Sequence, residues 1–219
     1  MLKYPCLVLD HDETVVQSEA TIGYPCFCQT LSRLRPGRII TLQEYVHGCH
    51  ELGFVDMCKQ WFQFSEEEMQ EEYNDWMDYV KVHVPDPFPG IEAVIRKQKE
   101  EGGLLCVVSH SSAKTIRRDY QAHFGILPDA IYSCDDPKEH QKPNSYPLLD
   151  IMERYHLKPE ELLVVDDMKL ACQMAAPVNV PVAFAAWGKK EFPEIAQEMR
   201  QLCDFSFDTI GDLRRFLFE

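Results

Sequence analysis

From Gly90 onward, short apolar runs alternate with amphipathic helical segments, and this alternation constrains the fold more than any other feature of the chain. Strands separated by helices are typical of a parallel sheet in which the helices form the crossovers. The predicted strands are residues 7–9, 104–108, the region around 131–132, 162–165 and 182–186. We therefore expect an α/β fold with a Rossmann-like, three-layer core built on a parallel sheet.

Three of these predicted strands are followed at once by polar residues. They are Asp10 and Asp12 after the first strand, Ser109 after the second, and Asp166 and Asp167 after the fourth. Parallel strands bring their C-terminal ends to one edge of the sheet, so we expect these side chains to lie together there. Two neighbouring carboxylates resist ionisation, and a divalent cation would relieve their repulsion.

Each residue of this set also has a purely structural interpretation. An Asp-x-Asp pair alone is compatible with a solvated loop in which one Asp caps a helix. Ser109 alone is compatible with a helix-capping serine. Lys142, in the loop before the fourth strand, would by itself be read as a surface lysine. Their joint placement at one edge favours a catalytic site over these structural interpretations. Such a site would combine a nucleophile, a hydroxyl, an ammonium group and a pair of metal-binding acids.

Residues 15–88 read as helical throughout and interrupt the strand pattern. Pro36-Gly37 is expected to end a first helix, and an apolar stripe from Leu42 to Leu52 predicts a second. Ser65 and Glu68 form a capping-box pattern that opens an acidic helix, which we interpret as a solvated face. The expected domains are therefore a core of residues 1–14 and 89–219 and a helical domain of residues 15–88.

Composition excludes several classes of partner. The 22 Lys and Arg residues face 36 Asp and Glu residues, and the net charge of −14 argues against nucleic acid. No apolar stretch approaches the roughly 20 residues that cross a membrane, so no membrane partner is expected. The nine cysteines and the absence of a signal-peptide pattern predict a reduced, cytoplasmic protein.

A zinc site is an alternative use of some of these cysteines. The residues concerned are Cys26, Cys28, His47, Cys49, His50 and Cys58. Their spacings match no common zinc module, and Cys49 falls on an apolar helical stripe, so buried thiols are the favoured interpretation.

The order and approximate spacing of the strand-end residues resemble the four motifs of the haloacid dehalogenase superfamily. Within it, the chain looks most like the helical-cap phosphatases, a group that includes phosphoglycolate phosphatase and β-phosphoglucomutase-like proteins. Phe88-Pro89-Gly90 and Trp187-Gly188 also match the family's flanking segments, so the resemblance covers the whole chain. It implies that residues 15–88 form a helical cap that closes over the site and selects the substrate.

The resemblance implies a role for each matching residue. Asp10 would be the nucleophile that forms an aspartyl-phosphate, and Asp12 the general acid and base. Ser109 and Lys142 would act in catalysis and bind the phosphoryl group, with Thr14 and His110 as further substrate-binding positions. Mg²⁺ is the implied cofactor, and its expected ligands are Asp10, the Asp12 carbonyl group, Asp167 and, directly or through water, Asp166.

The expected function is that of a magnesium-dependent phosphatase acting on a small phosphorylated metabolite. A sugar phosphate phosphomutase is an alternative, because it would share every catalytic residue. A non-catalytic binding protein that keeps the fold is a second alternative, supported by Glu13 where many relatives have Gly and by Ala171 where many have an acid. Ala171 puts metal affinity in doubt. The sequence does not indicate an oligomeric state.

Overall fold

The computed structural model describes residues 2–219, which divide into two compact units. One unit joins the N-terminal segment up to Val16 with Pro87–Glu219, and the other is Gln17–Asp86. Within residues 2–219, every helix is too short or too polar to cross a lipid bilayer.

The sheet unit contains all six strands, arranged in the order β3-β2-β1-β4-β5-β6 with every neighbouring pair parallel. The strands are β1 (Cys6–Leu9), β2 (Leu104–Val108), β3 (Ala130–Tyr132), β4 (Leu162–Asp166), β5 (Val182–Ala185) and β6 (Phe205–Phe207). The prediction of a parallel, Rossmann-like α/β core is confirmed.

Within residues 2–219, ten α-helices accompany the strands. The first four, which follow a π-helical turn at Glu19–Gly23, belong to the helical unit: α1 (Tyr24–Leu34), α2 (Leu42–Leu52), α3 (Phe54–Phe62) and α4 (Glu66–Val82). The other six belong to the sheet unit: α5 (Ile91–Glu100), α6 (Ala113–Phe124), α7 (Tyr146–Tyr155), α8 (Lys169–Ala175), α9 (Pro193–Leu202) and α10 (Ile210–Phe218).

Strand β1 lies at the centre of the sheet, and its pairing with β2 and β4 determines where the strand-end polar residues lie. Leu9 is paired with Val107 of β2 and with Val165 of β4. All three strands run in the same direction, so the residues that follow them emerge at one edge. This geometry explains why separate polar segments of the sequence meet in space.

Both faces of the sheet are covered by apolar side chains. Leu7 and Leu9 of β1 belong to one buried cluster, which also includes Ile91 and Ile116 from the helices. Cys6 and Val8 alternate with them and belong to a second cluster on the other face. This two-sided burial is why the strands read as continuous apolar runs instead of alternating polar and apolar residues.

Strand β6 was not predicted from the sequence. It is only three residues long, Phe205–Phe207, and all three are half-buried at the edge of the sheet beside β5. A segment this short gives no measurable alternation, so its pairing depends on the strand already present next to it.

The helical unit is organised around Phe27, which is almost fully buried. Its ring contacts Tyr45, Phe54, Phe62 and Phe64 at centroid distances between 5.4 and 6.3 Å. The predicted helix of residues 42–52 is confirmed as α2, and the predicted capping box opens α4. The aromatic residues around Phe27 therefore form the packed interior of the helical unit.

The acidic face of α4 is less solvated than predicted. Glu68 pairs with Arg35 at 2.6 Å, and Glu71 and Asp75 both pair with Arg33. Glu72 is buried, and burial raises its pKa to about 7, with Asp75 adding to the shift. The prediction of a solvated face therefore holds for the exposed acids of α4 and is wrong for Glu72, which faces the interior.

Candidate active site

Asp10 begins the loop that leaves the central strand. Its side chain is buried, and its backbone N–H donates to the Val165 carbonyl oxygen at 2.9 Å, which holds the loop against β4. The loop turns at Glu13, whose φ of 55° lies in the left-handed region. A side chain in that region costs roughly 1 kcal/mol, so Glu13 strains this turn.

Lys142 joins two of the strand-end acids. Its Nζ lies 2.9 Å from Asp10 Oδ1 and 2.8 Å from Asp166 Oδ2, and all three side chains are buried. Burial alone would lower the pKa of Lys142, but the two carboxylates outweigh it and raise the pKa above its usual value. The lysine is therefore held as a cation between the two acids, and its interpretation as a surface lysine does not apply.

Three buried acids form one cluster at this edge. Oxygen atoms of Asp10, Asp166 and Asp167 lie within 4.8 Å of one another. Burial raises the pKa of Asp10 well above its usual value, Lys142 opposes this, and the neighbouring acids reinforce it. Burial also raises the pKa of Asp166, again against the opposing charge of Lys142.

This cluster fits a hard divalent cation. The donors are carboxylate oxygens, which Mg²⁺ prefers over nitrogen or sulfur ligands. Three acids, Asp10, Asp166 and Asp167, pair with the two ammonium groups of Lys142 and Lys189. A divalent cation would relieve the repulsion that remains among these carboxylates. A ligand role for the Asp12 carbonyl group stays a prediction.

Two serines bind the carboxylate of Asp12. Ser111 Oγ donates to Asp12 Oδ2 at 2.6 Å, and Ser109 Oγ donates to the same oxygen at 3.4 Å. The Ser111 N–H in turn donates to Ser109 Oγ at 3.1 Å. Ser111 was not singled out from the sequence as a contact of Asp12, and the next residue, Ser112, caps α6. A second hydroxyl two residues after Ser109 was the available signal.

Asp167 is bound from two sides. Thr14 Oγ1 donates to its Oδ1 at 3.3 Å, and Lys189 Nζ lies 2.9 Å from its Oδ2. Thr14 is fully buried, so its hydroxyl supports the acid cluster. Lys189 was also missed, because the sequence match ended at Trp187-Gly188 and a lysine just beyond a strand reads as solvent-exposed.

The two histidines beside the strand ends differ in environment. His110 is exposed, and its Nε2–H donates a hydrogen bond to the Lys142 carbonyl oxygen at 2.9 Å. His11 is buried, and its Nε2 lies 3.1 Å from Asp119 Oδ2 while its ring stacks against Tyr120. His11 therefore packs against α6.

The sequence of residues 7–185 matches the family of haloacid dehalogenase-like hydrolases. This match spans most of the chain and includes Asp10, Asp12, Ser109, Lys142, Asp166 and Asp167. The chain belongs to this family, so the predicted membership and the prediction of a hydrolase are confirmed. The family generally uses a divalent metal, in keeping with the acid cluster.

Solved structures share the fold at low sequence identity. A predicted phosphoglycolate phosphatase from Haemophilus somnus is 17% identical, with a TM-score of 0.75 and coverage of 99% of both chains. A putative β-phosphoglucomutase from Bacteroides vulgatus is 20% identical, with a TM-score of 0.73 and coverage of 97% of this chain and 87% of the other.

A third relative was solved with a phosphorylated ligand. CbbY from Rhodobacter sphaeroides, in complex with xylulose 1,5-bisphosphate, is 17% identical, with a TM-score of 0.67 and coverage of 84% of this chain and 86% of the other. No curated protein sequence matches the chain significantly.

Proposed function

We propose that this protein is a magnesium-dependent phosphatase that hydrolyses small phosphomonoesters through an aspartyl-phosphate on Asp10. The observation that carries the proposal is the pairing of buried Asp10 with Lys142 at 2.9 Å, at the end of the central strand. Burying a carboxylate with its cation is costly for stability. Nucleophilic attack by Asp10 on a phosphoryl group would explain why the pair is kept.

In the first step, an Asp10 oxygen attacks phosphorus and the bond between phosphorus and the ester oxygen breaks. Asp12 gives its proton to the departing alkoxide, which leaves as an alcohol. The ammonium group of Lys142 offsets the negative charge that gathers on the transferring phosphoryl group. The contacts of Asp12 with Ser111 and Ser109 support this role, because they restrain the orientation of the carboxylate.

In the second step, water attacks the phosphorus of the aspartyl-phosphate. Asp12, now ionised, takes a proton from this water, and the bond between phosphorus and the Asp10 oxygen breaks. Inorganic phosphate leaves, and both carboxyl groups return to their starting forms. One residue thus serves as acid in one step and as base in the next.

Asp10, Asp166 and Asp167 would hold the magnesium ion, with the Asp12 carbonyl group as a further ligand. When bound, the ion supplies positive charge that favours ionised Asp10 and neutralises the phosphate oxygens. In this proposal the raised pKa of Asp10 describes the metal-free carboxyl group. Ala171, which offers no carboxylate, leaves the site dependent on the adjacent acids.

The proposed substrate is a small phosphorylated metabolite. In this scheme the helical unit, Gln17–Asp86, serves as the cap that selects it. The xylulose 1,5-bisphosphate bound to CbbY supports the class of ligand without identifying it for this chain. We also propose a cytoplasmic location, in keeping with the nine free cysteines.

Release of inorganic phosphate from a panel of phosphomonoesters tests the proposal. The wild type, Asp10→Asn and the surface control Asp208→Asn are compared with and without MgCl₂. We expect phosphate release that requires Mg²⁺, is retained by Asp208→Asn and falls by at least about 10⁴-fold in Asp10→Asn. Acid-stable radiolabel transferred from substrate to wild-type protein, but not to Asp10→Asn, would identify the covalent step.

Two outcomes contradict the proposal. Isomerised sugar phosphate without free phosphate, dependent on a bisphosphate activator, indicates a phosphomutase. Mg²⁺ binding without turnover of any substrate indicates a binding protein that keeps the fold.

A further inference from the structure

Lys189 contacts the acid cluster through Asp167, and the proposed reaction gives this lysine no role. It is the last residue of a short 3₁₀ turn, Ala186–Lys189, which follows β5. Its side chain is essentially inaccessible to solvent, and its Nζ lies 2.9 Å from Asp167 Oδ2. Lysine is almost never fully buried without a specific partner, so this placement needs an explanation.

The backbone around Lys189 is held against the loop that carries Asp10. Trp187 Nε1 donates to the Thr14 carbonyl oxygen at 3.0 Å. A Cβ atom on Gly188 would lie 2.0 Å from the Glu13 carbonyl oxygen, so only glycine fits there. The Phe192 N–H also donates to the Lys189 carbonyl oxygen at 3.0 Å. The turn is therefore fixed on both sides of Lys189.

The contacts of Asp167 set it apart from the other two acids of the cluster. Asp10 and Asp166 share the ammonium group of Lys142, whereas Asp167 has the separate cation Lys189. Its other oxygen accepts the Thr14 hydroxyl at 3.3 Å. Both oxygens of Asp167 thus have a protein donor.

We propose that Lys189 is an internal counter-ion that competes with a divalent cation for Asp167. This proposal rests on the metal site of the proposed function. The ammonium group neutralises Asp167 in the metal-free protein, and an incoming cation must draw the carboxylate away from it. Two cations at one carboxylate repel each other strongly in a water-poor site, so Lys189 weakens metal binding. The lysine thereby sets the metal concentration at which the site is filled.

Calorimetric titration of the substrate-free protein with MgCl₂ tests this competition. The proteins compared are the wild type, Lys189→Gln, Lys189→Arg and Lys190→Gln. Glutamine keeps a hydrogen-bond donor but removes the charge, arginine keeps the charge, and Lys190 is the exposed neighbour. We expect Lys189→Gln to lower the Kd for Mg²⁺ by about tenfold or more, because a like charge beside the ion is removed. Lys189→Arg and Lys190→Gln should show no tightening.

Thermal unfolding gives a second readout that does not depend on a measurable heat of Mg²⁺ binding. Ligand binding to the folded state raises Tm according to its affinity, so the same MgCl₂ concentration should raise Tm more in Lys189→Gln than in the wild type. NaCl at matched ionic strength is the control for screening. A Lys189→Gln protein that folds only when Mg²⁺ is added also supports the proposal.

A purely structural ion pair gives different results. In that case Lys189→Gln loses stability while its Kd for Mg²⁺ is unchanged or higher, or it stays unfolded in Mg²⁺, and the proposal is overturned. Absence of Mg²⁺ binding in both proteins overturns it as well. Neither titration nor unfolding involves a substrate. Tighter Mg²⁺ binding in Lys189→Gln, together with no phosphate release by the wild type, would therefore refute the proposed phosphatase activity and leave the competition at Asp167 standing.

Discussion

The ion pairs at the edge of the sheet and those on the helical unit differ in their contact with water. Lys142 and Asp10 expose 4% and 5% of their side chains, whereas Arg33 and Glu71 expose 45% and 47%. Removing charges from water has a cost that attraction between the partners often fails to recover. Exposed pairs incur little of this cost and contribute little stability.

This difference separates charges kept for chemistry from charges kept for surface packing. The buried set at the sheet edge is an expensive arrangement for stability alone, and it surrounds the proposed nucleophile. The exposed set joins α1 to α4, and apolar packing around Phe27 separately holds α1 against α2 and α3. The comparison predicts large effects from changes at the sheet edge and small ones from changes on the helical surface.

Lys142→Met should have the largest effect on stability. It leaves Asp10 and Asp166 buried together without their shared cation, and breaking a buried pair in this way costs about 3–5 kcal/mol. Phosphate release should fall by about 10²–10³-fold, the usual loss on removing one charge-stabilising group. Urea unfolding and steady-state kinetics measure the two effects.

Lys138→Met, in the same loop but exposed, is the matched control and should retain both stability and activity. A Lys142→Met protein as stable and active as this control would show that the buried pair has no measurable role in stability or activity.

Glu72 is the buried acid of the helical unit, and it breaks the simple division between the two regions. Its pKa is raised from 4.5 to about 7 by burial and by Asp75, so the folded state holds a proton that the unfolded state releases. The stability this provides is present below about pH 4.5 and is lost as pH rises through about 7. Glu72→Gln should therefore gain up to about 3 kcal/mol over the wild type at alkaline pH and little at acid pH.

Urea unfolding at several pH values checks this prediction, with Glu67→Gln on the exposed side of α4 as the control. A wild-type stability that does not fall across this range, or an equal gain from both substitutions, would show that Glu72 ionises without penalty.

The sequence predicted the sheet better than it predicted the charges. Residues 104–108 form a continuous apolar run between a glycine pair and polar residues, so β2 was found with its bounds correct. The strand-end acids followed, because parallel strands share an edge. Ser111 and Lys189 could not be found this way, since a serine before a helix and a lysine after a strand usually have structural roles. Their partners become visible only once the loops are folded.

Ser111→Ala should have an intermediate effect. Removing the 2.6 Å hydrogen bond to Asp12 leaves its carboxyl group less restrained, at a cost of about 0.5–1.5 kcal/mol, the usual net contribution of a hydrogen bond. We expect kcat to fall by about tenfold with KM unchanged, because the contact orients the proposed acid and not the substrate. Ser111→Thr, which keeps the hydroxyl, should recover most of the rate. An unchanged kcat in Ser111→Ala would remove Ser111 from the positioning of Asp12.

Arg33→Gln should have the smallest effect, although Arg33 bonds to two acids. Its partners Glu71 and Asp75 are 47% and 38% exposed, so water replaces the lost contacts. We expect a loss below about 1 kcal/mol in urea unfolding, and a smaller one at high salt, because screening weakens exposed pairs in the wild type as well. A loss above about 2 kcal/mol that persists in high salt would contradict this expectation. It would mean that the contacts between α1 and α4 depend on charge as strongly as the sheet edge does.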